Sequence, residues 1–189
     1  MSRHRIVIYG PTGSGKTTTA RRMGELLPLP VVELDAFFWR PNWNPAPDQE
    51  FRARVTEALN ANRAGWICDG NYTSKSADLI LPQADLVIWL RLPFVVVYWR
   101  LLTRTVRRAW TEETLWDTNR ESWQQAFLSR DSLLLWAITH WRWQITNLRG
   151  ALREIPHTAE VIKLHSPKEV DRFLASLVSK RASDRTHEI

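Results

Sequence analysis

Apolar and polar residues follow one another along the chain in blocks that predict short buried strands separated by amphipathic helices. Five apolar runs rich in β-branched and aromatic residues predict strands at 5–9, 31–34, 66–68, 86–90 and 161–164. Apolar residues at helical spacing predict helices over 16–27 and 48–62 and from about Pro167 onward. Strands that alternate with helices in this way predict an α/β fold with a five-stranded parallel sheet and helices on both of its faces.

Two stretches break this regular alternation. The segment 36–47 combines four aromatic residues with three prolines, which favours an ordered loop over a helix. The stretch 94–153 has a helical pattern but is too long for a simple crossover between the fourth and fifth strands. It predicts a helical lid, with 111–122 as a mobile part and a helix start near 119–121. We expect one domain over residues 1–180 and a polar, frayed tail over 181–189.

The first predicted strand leads into a glycine-rich loop, Gly10-Pro11-Thr12-Gly13-Ser14-Gly15-Lys16-Thr17, which Thr18 follows. The loop fits the phosphate-binding pattern G-x-x-x-x-G-K-[ST], and it stands between a strand and a helix as this pattern requires. Glycines let backbone N–H groups converge on phosphate oxygens, and the helix N-terminus adds partial positive charge. Lys16 is expected to reach the β- and γ-phosphates of ATP, and the Thr17 hydroxyl to bind Mg²⁺. The sequence therefore predicts an ATP site over residues 10–18 in a three-layer P-loop NTPase fold.

Two aspartates stand at the ends of predicted strands. Asp35 follows the second strand and Asp69 follows the third. Because the carboxyl ends of parallel strands meet at one edge of a sheet, both are expected beside the phosphate loop. Asp35 is a candidate base for an acceptor hydroxyl, and the alternative is a cap on the following turn.

The first part of the insert has a basic face on a predicted helix. The arginines on one arc of the helical wheel are Arg100, Arg104, Arg107 and Arg108, and the apolar residues on the opposite arc are Val95, Tyr98, Leu102, Val106 and Ala109. Arginine forms bidentate hydrogen bonds with phosphates, so we expect at least one of the four to contact phosphate. The alternative is a solvated basic surface.

Composition adds limits on partners and compartment. The chain of 189 residues carries a net charge of +6, which favours anionic partners such as nucleotides or nucleic acid. A single cysteine, Cys68, excludes an intrachain disulfide and is compatible with a reducing compartment. No signal-peptide pattern and no apolar run of membrane-spanning length occurs, so we expect a cytoplasmic protein without a membrane partner.

Most of the 11 tryptophans lie between Trp89 and Trp143. Large apolar residues there recur at helical spacing, namely Trp123, Phe127, Leu134, Ile138, Trp141, Ile145 and Leu148. This stripe is typical of core or helix–helix packing, with stacking on nucleic-acid bases as the alternative.

Together these motifs resemble the nucleoside monophosphate kinase group of P-loop kinases. They are more closely similar to the small bacterial adenylate kinase-like or DNA topology modulation proteins. The resemblance spans nearly the whole chain and rests mainly on Gly10–Thr17, 34–40, 69–72 and 119–122. The aromatic segment and Asp69-Gly70-Asn71-Tyr72 are specific to the smaller group, whereas many NTPases share the loop.

The resemblance implies an ATP- and Mg²⁺-dependent phosphotransferase. Thr17 and Asp69 would lie on the metal side, although a purely structural role for Asp69 stays open. The residues implied to close over the transferring phosphoryl group are Arg104, Arg108 and Arg120. Those implied to line the acceptor pocket with Asp35 are Trp39, Arg40, Asn71 and Tyr72, although Trp39 is as well explained by packing under the loop.

The chain departs from adenylate kinases after the Asp-Gly of the third strand. In that family an aromatic residue, a proline and an arginine that binds the AMP phosphate follow. Here Asn71 and Tyr72 follow, and no arginine occurs before Arg91, so the sequence disfavours AMP as the acceptor.

We predict a kinase with a small-molecule acceptor, and two alternatives stay open. One is a nucleotide-gated nucleic-acid-binding regulator, although no recognition module is visible. The other is a kinase that acts on the 5′-hydroxyl of an oligonucleotide.

Overall fold

The structure is a computed structural model that describes residues 4–111, 114–115, 119–120 and 133–186. Its strands are β1 (Arg5–Tyr9), β2 (Val31–Glu33), β3 (Trp39–Arg40), β4 (Asn44–Pro45), β5 (Trp66–Asp69), β6 (Leu86–Leu90), β7 (Thr114–Leu115), β8 (Asn119–Arg120) and β9 (Glu160–Leu164). Its helices are α1 (Lys16–Leu26), α2 (Leu34–Phe38), α3 (Asp48–Ala61), α4 (Thr73–Ile80), α5 (Phe94–Thr111), α6 (Leu133–Thr139), α7 (Trp141–Glu154) and α8 (Pro167–Thr186). Two 3₁₀ turns, Pro41–Trp43 and Leu81–Gln83, complete the chain's regular elements among these residues.

Five strands form one parallel sheet in the order β2-β5-β1-β6-β9. The central strand β1 pairs with β5 on one side and β6 on the other, so that Ile6 lies opposite both Ile67 and Leu86. All pairings in this sheet are parallel. The predicted five-stranded α/β fold is therefore confirmed, and the carboxyl ends of β1, β2 and β5 share one edge.

The central strands β1, β5 and β6 are buried on both faces of the sheet, which explains why they are nearly continuous apolar runs. Successive residues of a strand point to opposite faces, so β1 contributes to two cores. Val7 and Tyr9 belong to a core that also contains Phe51 of α3, Ile80 of α4 and Leu148 of α7. Ile6 and Ile8 belong to a second core that contains Met23 of α1 and Leu174 of α8.

The segment 36–47 is not the continuous loop that its prolines suggested. Strand β2 ends at Glu33, and α2 begins at once, so Asp35 lies in the first turn of a short helix. Strands β3 and β4 then pair antiparallel around the 3₁₀ turn. The Phe38 ring packs on Phe51 and Tyr72, with ring centroids 5.5 and 4.7 Å away. Packing of the partly buried Phe38 ring holds the segment in this structure. Local composition does not predict such a contact.

The insert between β6 and β9 differs from the predicted lid in two respects. Asn119 and Arg120 form a strand that pairs antiparallel with β7, so the helix start predicted near 119–121 is wrong for the described residues. Helix α7 packs one face against the main core through the buried Leu148 and the partly buried Ile145. The remainder of the predicted mobile lid, like Trp123 and Phe127, lies outside the described residues.

The most buried face of α5 lies beside its arginines, whereas Tyr98 and Leu102 of the apolar arc are only partly buried. Val95 is 76% exposed and Val106 is 38% exposed, whereas Val97 and Leu101 are buried. The phosphate loop lies against the helix beside the arginines, and this contact selects the buried side. A helical wheel cannot identify such a contact because the loop is distant in sequence.

The C-terminal helix α8 is longer than the sequence predicts, and no described helix is able to cross a membrane. Helix α8 continues to Thr186, so the tail predicted from residue 181 is helical over most of its length. No helix among the described residues has the length and apolar character needed to cross a membrane.

Candidate active site

The phosphate loop joins β1 to α1 and requires glycine at several positions. Gly13 and Gly15 have φ values of 86° and 91°, in the left-handed region that favours glycine. A Cβ atom added to Gly13 would lie 2.8 Å from the Val97 carbonyl oxygen of α5. A Cβ atom on Gly10 would lie 2.9 Å from Leu90 at the end of β6. The glycines therefore permit both the curl of the loop and the close approach of α5 and β6.

Lys16 stands at the first position of α1, beside two carboxylates. Its Nζ donates a hydrogen bond to the Pro11 carbonyl oxygen at 3.3 Å, so the side chain folds back over the loop. Desolvation lowers the pKa of Lys16, and the negative charges of Asp69 and Asp35 oppose that shift. The predicted phosphate-binding lysine and both strand-end aspartates therefore lie within electrostatic reach of one another. Thr18, two positions further along the helix, is exposed.

Asp69 ends β5 in the interior of the protein and is only 5% exposed. Burial raises its pKa to about 6, although the Lys16 charge and a hydrogen bond from the Thr17 side chain act in the opposite direction. One carboxylate oxygen, Oδ1, is buried and has no hydrogen-bond partner among the described residues. An unsatisfied carboxylate oxygen next to a hydroxyl is suited to a hard cation.

This pair of ligands fits Mg²⁺ better than a metal held by protein groups alone. The part of the chain that the structure describes contains no group of three or more His, Cys, Asp or Glu residues able to hold a metal ion. Mg²⁺ commonly uses one or two carboxylates together with waters and substrate phosphates. Thr17 and Asp69 beside the phosphate loop therefore match the protein share of such a site.

A chain of hydrogen bonds orients the second aspartate, Asp35. The Tyr72 hydroxyl donates to Asp35 Oδ1 at 2.5 Å, and the Trp39 side chain forms a hydrogen bond with Tyr72. Burial and the adjacent Asp35 charge raise the pKa of Tyr72, so the phenol keeps its proton and remains a donor. Asp35 is therefore engaged by another side chain, which gives no support to the alternative of a turn cap.

The other two residues predicted for the acceptor pocket have different partners. Arg40 forms an ion pair with Glu50 of α3. The Asn71 side-chain Nδ2 donates to Oε1 of Gln144 at 3.3 Å. Trp39 and Tyr72 thus join Asp35, whereas Asn71 connects to α7 and Arg40 is held against α3.

Helix α5 places part of its arginine face at the phosphate loop. Arg100 Nη1 donates to the Ser14 carbonyl oxygen at 3.4 Å. Arg104, one turn further along, is near enough to Lys16 for its charge to lower the pKa of that lysine. Arg108 is partly buried one turn beyond, while Arg107 is exposed. Arg120 lies in β8, a strand beside the Pro41–Trp43 turn.

Sequence reasoning missed Gln144, which contacts both halves of the site. Its Oε1 accepts a hydrogen bond from the Thr12 backbone N–H at 3.0 Å, in addition to the one from Asn71. The signal was present in the chain, because Trp141, Gln144, Ile145 and Leu148 have the i, i+3, i+4, i+7 spacing of a buried helix face. Gln144 is the one polar residue of these four.

The fold matches solved kinase structures over nearly its whole length. Shikimate kinase from Acinetobacter baumannii superposes with a TM-score of 0.52 at 17% identity, covering 97% of this chain and 95% of that one. A gluconokinase from Sinorhizobium meliloti gives a TM-score of 0.51 at 19% identity, covering 98% and 97%. A sugar kinase from Janibacter gives 0.53 at 18% identity, covering 96% and 94%. The fold is that of P-loop kinases.

The narrower relationships rest on the sequence motifs alone. A scan of protein-family models and a search of curated proteins by sequence each gave no match. The resemblance to adenylate kinase-like or DNA topology modulation proteins therefore stays a prediction within the wider P-loop kinase fold.

Proposed function

We propose that this protein is a Mg²⁺-dependent kinase that transfers the γ-phosphoryl group of ATP to a hydroxyl of a small metabolite. The observation that carries the proposal is the cluster at the sheet edge, where Lys16 interacts electrostatically with both Asp69 and Asp35. The Thr17 hydrogen bond to Asp69 adds the metal side of the same cluster. The kinase names of the structures that share this fold support the reaction class.

On the donor side, the loop N–H groups and Lys16 bind the β- and γ-phosphates, with Thr17 and Asp69 holding Mg²⁺. Bound Mg²⁺ neutralises charge on the phosphate oxygens. Arg104 adds positive charge on the α5 side of the loop, and we assign Arg108 and Arg120 to the closed form of the site. These groups stabilise the charge that spreads over the transferring phosphoryl group.

On the acceptor side, Asp35 takes the proton of the attacking hydroxyl. The acceptor oxygen forms a bond to the γ-phosphorus as the bond between that phosphorus and the β–γ bridging oxygen breaks, and ADP leaves. Tyr72 fixes one oxygen of Asp35, which leaves the other available to the acceptor. Trp39, Asn71 and Tyr72 supply uncharged hydrogen-bonding groups nearby, which suits a hydroxylated metabolite better than a phosphorylated one.

ATP as the donor and the unpaired, buried Cys68 support action in the cytoplasm.

Transfer from γ-labelled ATP to a pool of acceptors tests the proposal. The pool contains sugars and sugar acids, hydroxylated ring acids such as shikimate, nucleosides, nucleoside monophosphates and a short 5′-hydroxyl oligonucleotide. We expect label in a sugar-like or ring-acid product that depends on Mg²⁺. Label that appears only as free phosphate, or only on the oligonucleotide, contradicts a small-molecule kinase.

The structure gives little support to the alternative of a nucleotide-gated nucleic-acid-binding regulator. Arg100 and Arg104 of the basic face lie at the phosphate loop, where we assign them to nucleotide binding. Weak, strongly salt-dependent DNA binding is expected from the net charge alone.

Binding of the magnesium complex of ADP should weaken in acid. The pKa of Asp69 is raised from its ordinary value of 3.8 to about 6, so the carboxyl takes up a proton below that pH and loses its affinity for the cation. Titration calorimetry from about pH 5 to about pH 8 measures the effect.

Because the native state binds this proton more tightly than the unfolded state, stability of the free protein should fall as pH rises from 3.8 to about 6. Asp69→Asn should abolish both dependences, and a pH dependence that survives in this variant assigns it to another group.

Tyr72→Phe should lower kcat by about 10- to 100-fold, the loss expected for one hydrogen bond to a charged group. The KM for ATP should stay unchanged, because the ring still packs on Phe38 and the donor side is intact. Tyr98→Phe is the matched control, since Tyr98 stacks on Phe94 of the same helix. Equal kcat values in the two variants contradict a role for Tyr72 in orienting Asp35.

A further inference from the structure

Gln144 is the residue that joins the nucleotide half of the site to the acceptor half. Its Oε1 accepts one hydrogen bond from the Thr12 backbone in the phosphate loop and another from the side chain of Asn71. Thr12 belongs to the loop whose N–H groups are built for phosphate oxygens. Asn71 stands between Asp69 at the metal side and Tyr72, which holds Asp35. A single amide oxygen therefore contacts the elements that carry both substrates.

The orientation of this amide is fixed by the Thr12 contact. A backbone N–H can only donate, so the Gln144 atom that faces it must be the oxygen. The opposite end of the amide, Nε2, is buried and makes no hydrogen bond within the described ranges, in a residue that is only 3% exposed. A buried donor without a partner is unfavourable, and an apolar residue of similar size would avoid it. Packing alone does not explain a glutamine at this position.

Two further contacts of α7 hold the helix in place beside Gln144. Leu148, one turn further along, is fully packed in the main core. Asn147 on the same helix donates to the Thr73 hydroxyl at 2.7 Å, directly after the loop that carries Asn71 and Tyr72. These two contacts hold α7 in place within one turn of Gln144.

We propose that Gln144 is a positioning residue that couples the two half-sites, so that phosphate binding at the loop alters the hydrogen bonding of Asn71 in the acceptor pocket. Phosphate oxygens and Gln144 Oε1 are both acceptors for N–H groups of the same loop. A phosphate bound at the loop therefore weakens the hydrogen bond from Thr12 to Oε1, and this alters the hydrogen bond that Oε1 accepts from Asn71. This inference rests on the proposed nucleotide site and adds the residue that connects it to the acceptor.

The test uses ADP with Mg²⁺ as the probe and heteronuclear NMR as the readout. Backbone amide signals of Thr12, Gly13 and Lys16 report on the loop, and the side-chain amide signal of Asn71 reports on the acceptor pocket. In the wild type we expect the loop signals and the Asn71 signal to shift along one binding curve. In Gln144→Leu the loop signals should still shift, while the Asn71 signal should no longer shift with them.

Gln144→Glu is the second variant, since its carboxylate keeps the oxygen that accepts from Thr12 and Asn71. It should retain the Asn71 response, and a cooperative thermal transition in each variant shows that it is folded. A full Asn71 response in Gln144→Leu, or a silent Asn71 in wild-type protein whose loop signals shift, overturns the inference. Loop signals that do not move in the wild type contradict the nucleotide site itself, which distinguishes that failure from the failure of the coupling.

Discussion

Lys16→Ala should reduce phosphoryl transfer by about 10³-fold or more, the scale seen when a group that stabilises transition-state charge is removed. Lys16 is the cation that interacts with both Asp69 and Asp35 at the mouth of the phosphate loop. Without it, two carboxylates face the incoming phosphates with no adjacent compensating ammonium group. Transfer of label from γ-labelled ATP measures the loss, and calorimetry with ADP and Mg²⁺ measures the accompanying loss of affinity.

A second lysine provides the control for this variant. Lys75 on α4 pairs with Asp48 at 2.5 Å near the surface, where an ion pair contributes little to stability. Lys75→Ala should transfer phosphate at close to the wild-type rate, and thermal unfolding should show that Lys16→Ala keeps its fold. Activity lost equally in both variants, or retained in Lys16→Ala, contradicts the assignment of the loop lysine.

Local pattern was sufficient to predict the sheet. The three central strands β1, β5 and β6 are short, largely apolar runs that are buried on both faces of the sheet, and the runs at 5–9 and 86–90 match β1 and β6 in full. Parallel topology then placed Asp35 and Asp69 at the edge that carries the phosphate loop. Both lie within electrostatic reach of Lys16, so this proximity could be predicted from the loop motif and the shared edge of parallel strand ends.

Contacts between distant segments could not be predicted in this way. The packing of Phe38 on Phe51 and Tyr72, which orders the proline-rich segment, depends on where α3 lies. The buried side of α5 is set by the loop against Val97 and Leu101, although the wheel placed the helix's apolar arc elsewhere.

Gln144 shows a further limit. It lies among apolar residues whose helical spacing is typical of core packing, and only the folded chain shows that its Oε1 accepts a hydrogen bond from Thr12. Partners for a polar residue on a buried face come from other elements, and spacing along one helix does not identify them.

Arg104→Ala should lower kcat by about 10²- to 10⁴-fold with a smaller change in the affinity for ADP. The Arg104 charge lowers the pKa of Lys16, which means that two cations repel each other across the loop in the free protein. The negative charge of a bound phosphate offsets the repulsion between Arg104 and Lys16. This offset is greatest in the transition state, when charge spreads over the transferring phosphoryl group. Removing Arg104 should therefore slow the chemical step.

The same helix offers a matched control for this prediction in Arg107, three residues away and exposed to solvent. Single-turnover transfer with Arg104→Ala, Arg104→Lys and Arg107→Ala separates position from charge. Arg107→Ala should stay within about threefold of the wild type, because exposed charges are screened. Arg104→Lys should recover only part of the rate, since an ammonium group cannot form the bidentate contact of a guanidinium. If Arg104→Ala and Arg107→Ala have the same rate, α5 presents a solvated basic surface and makes no contribution to catalysis.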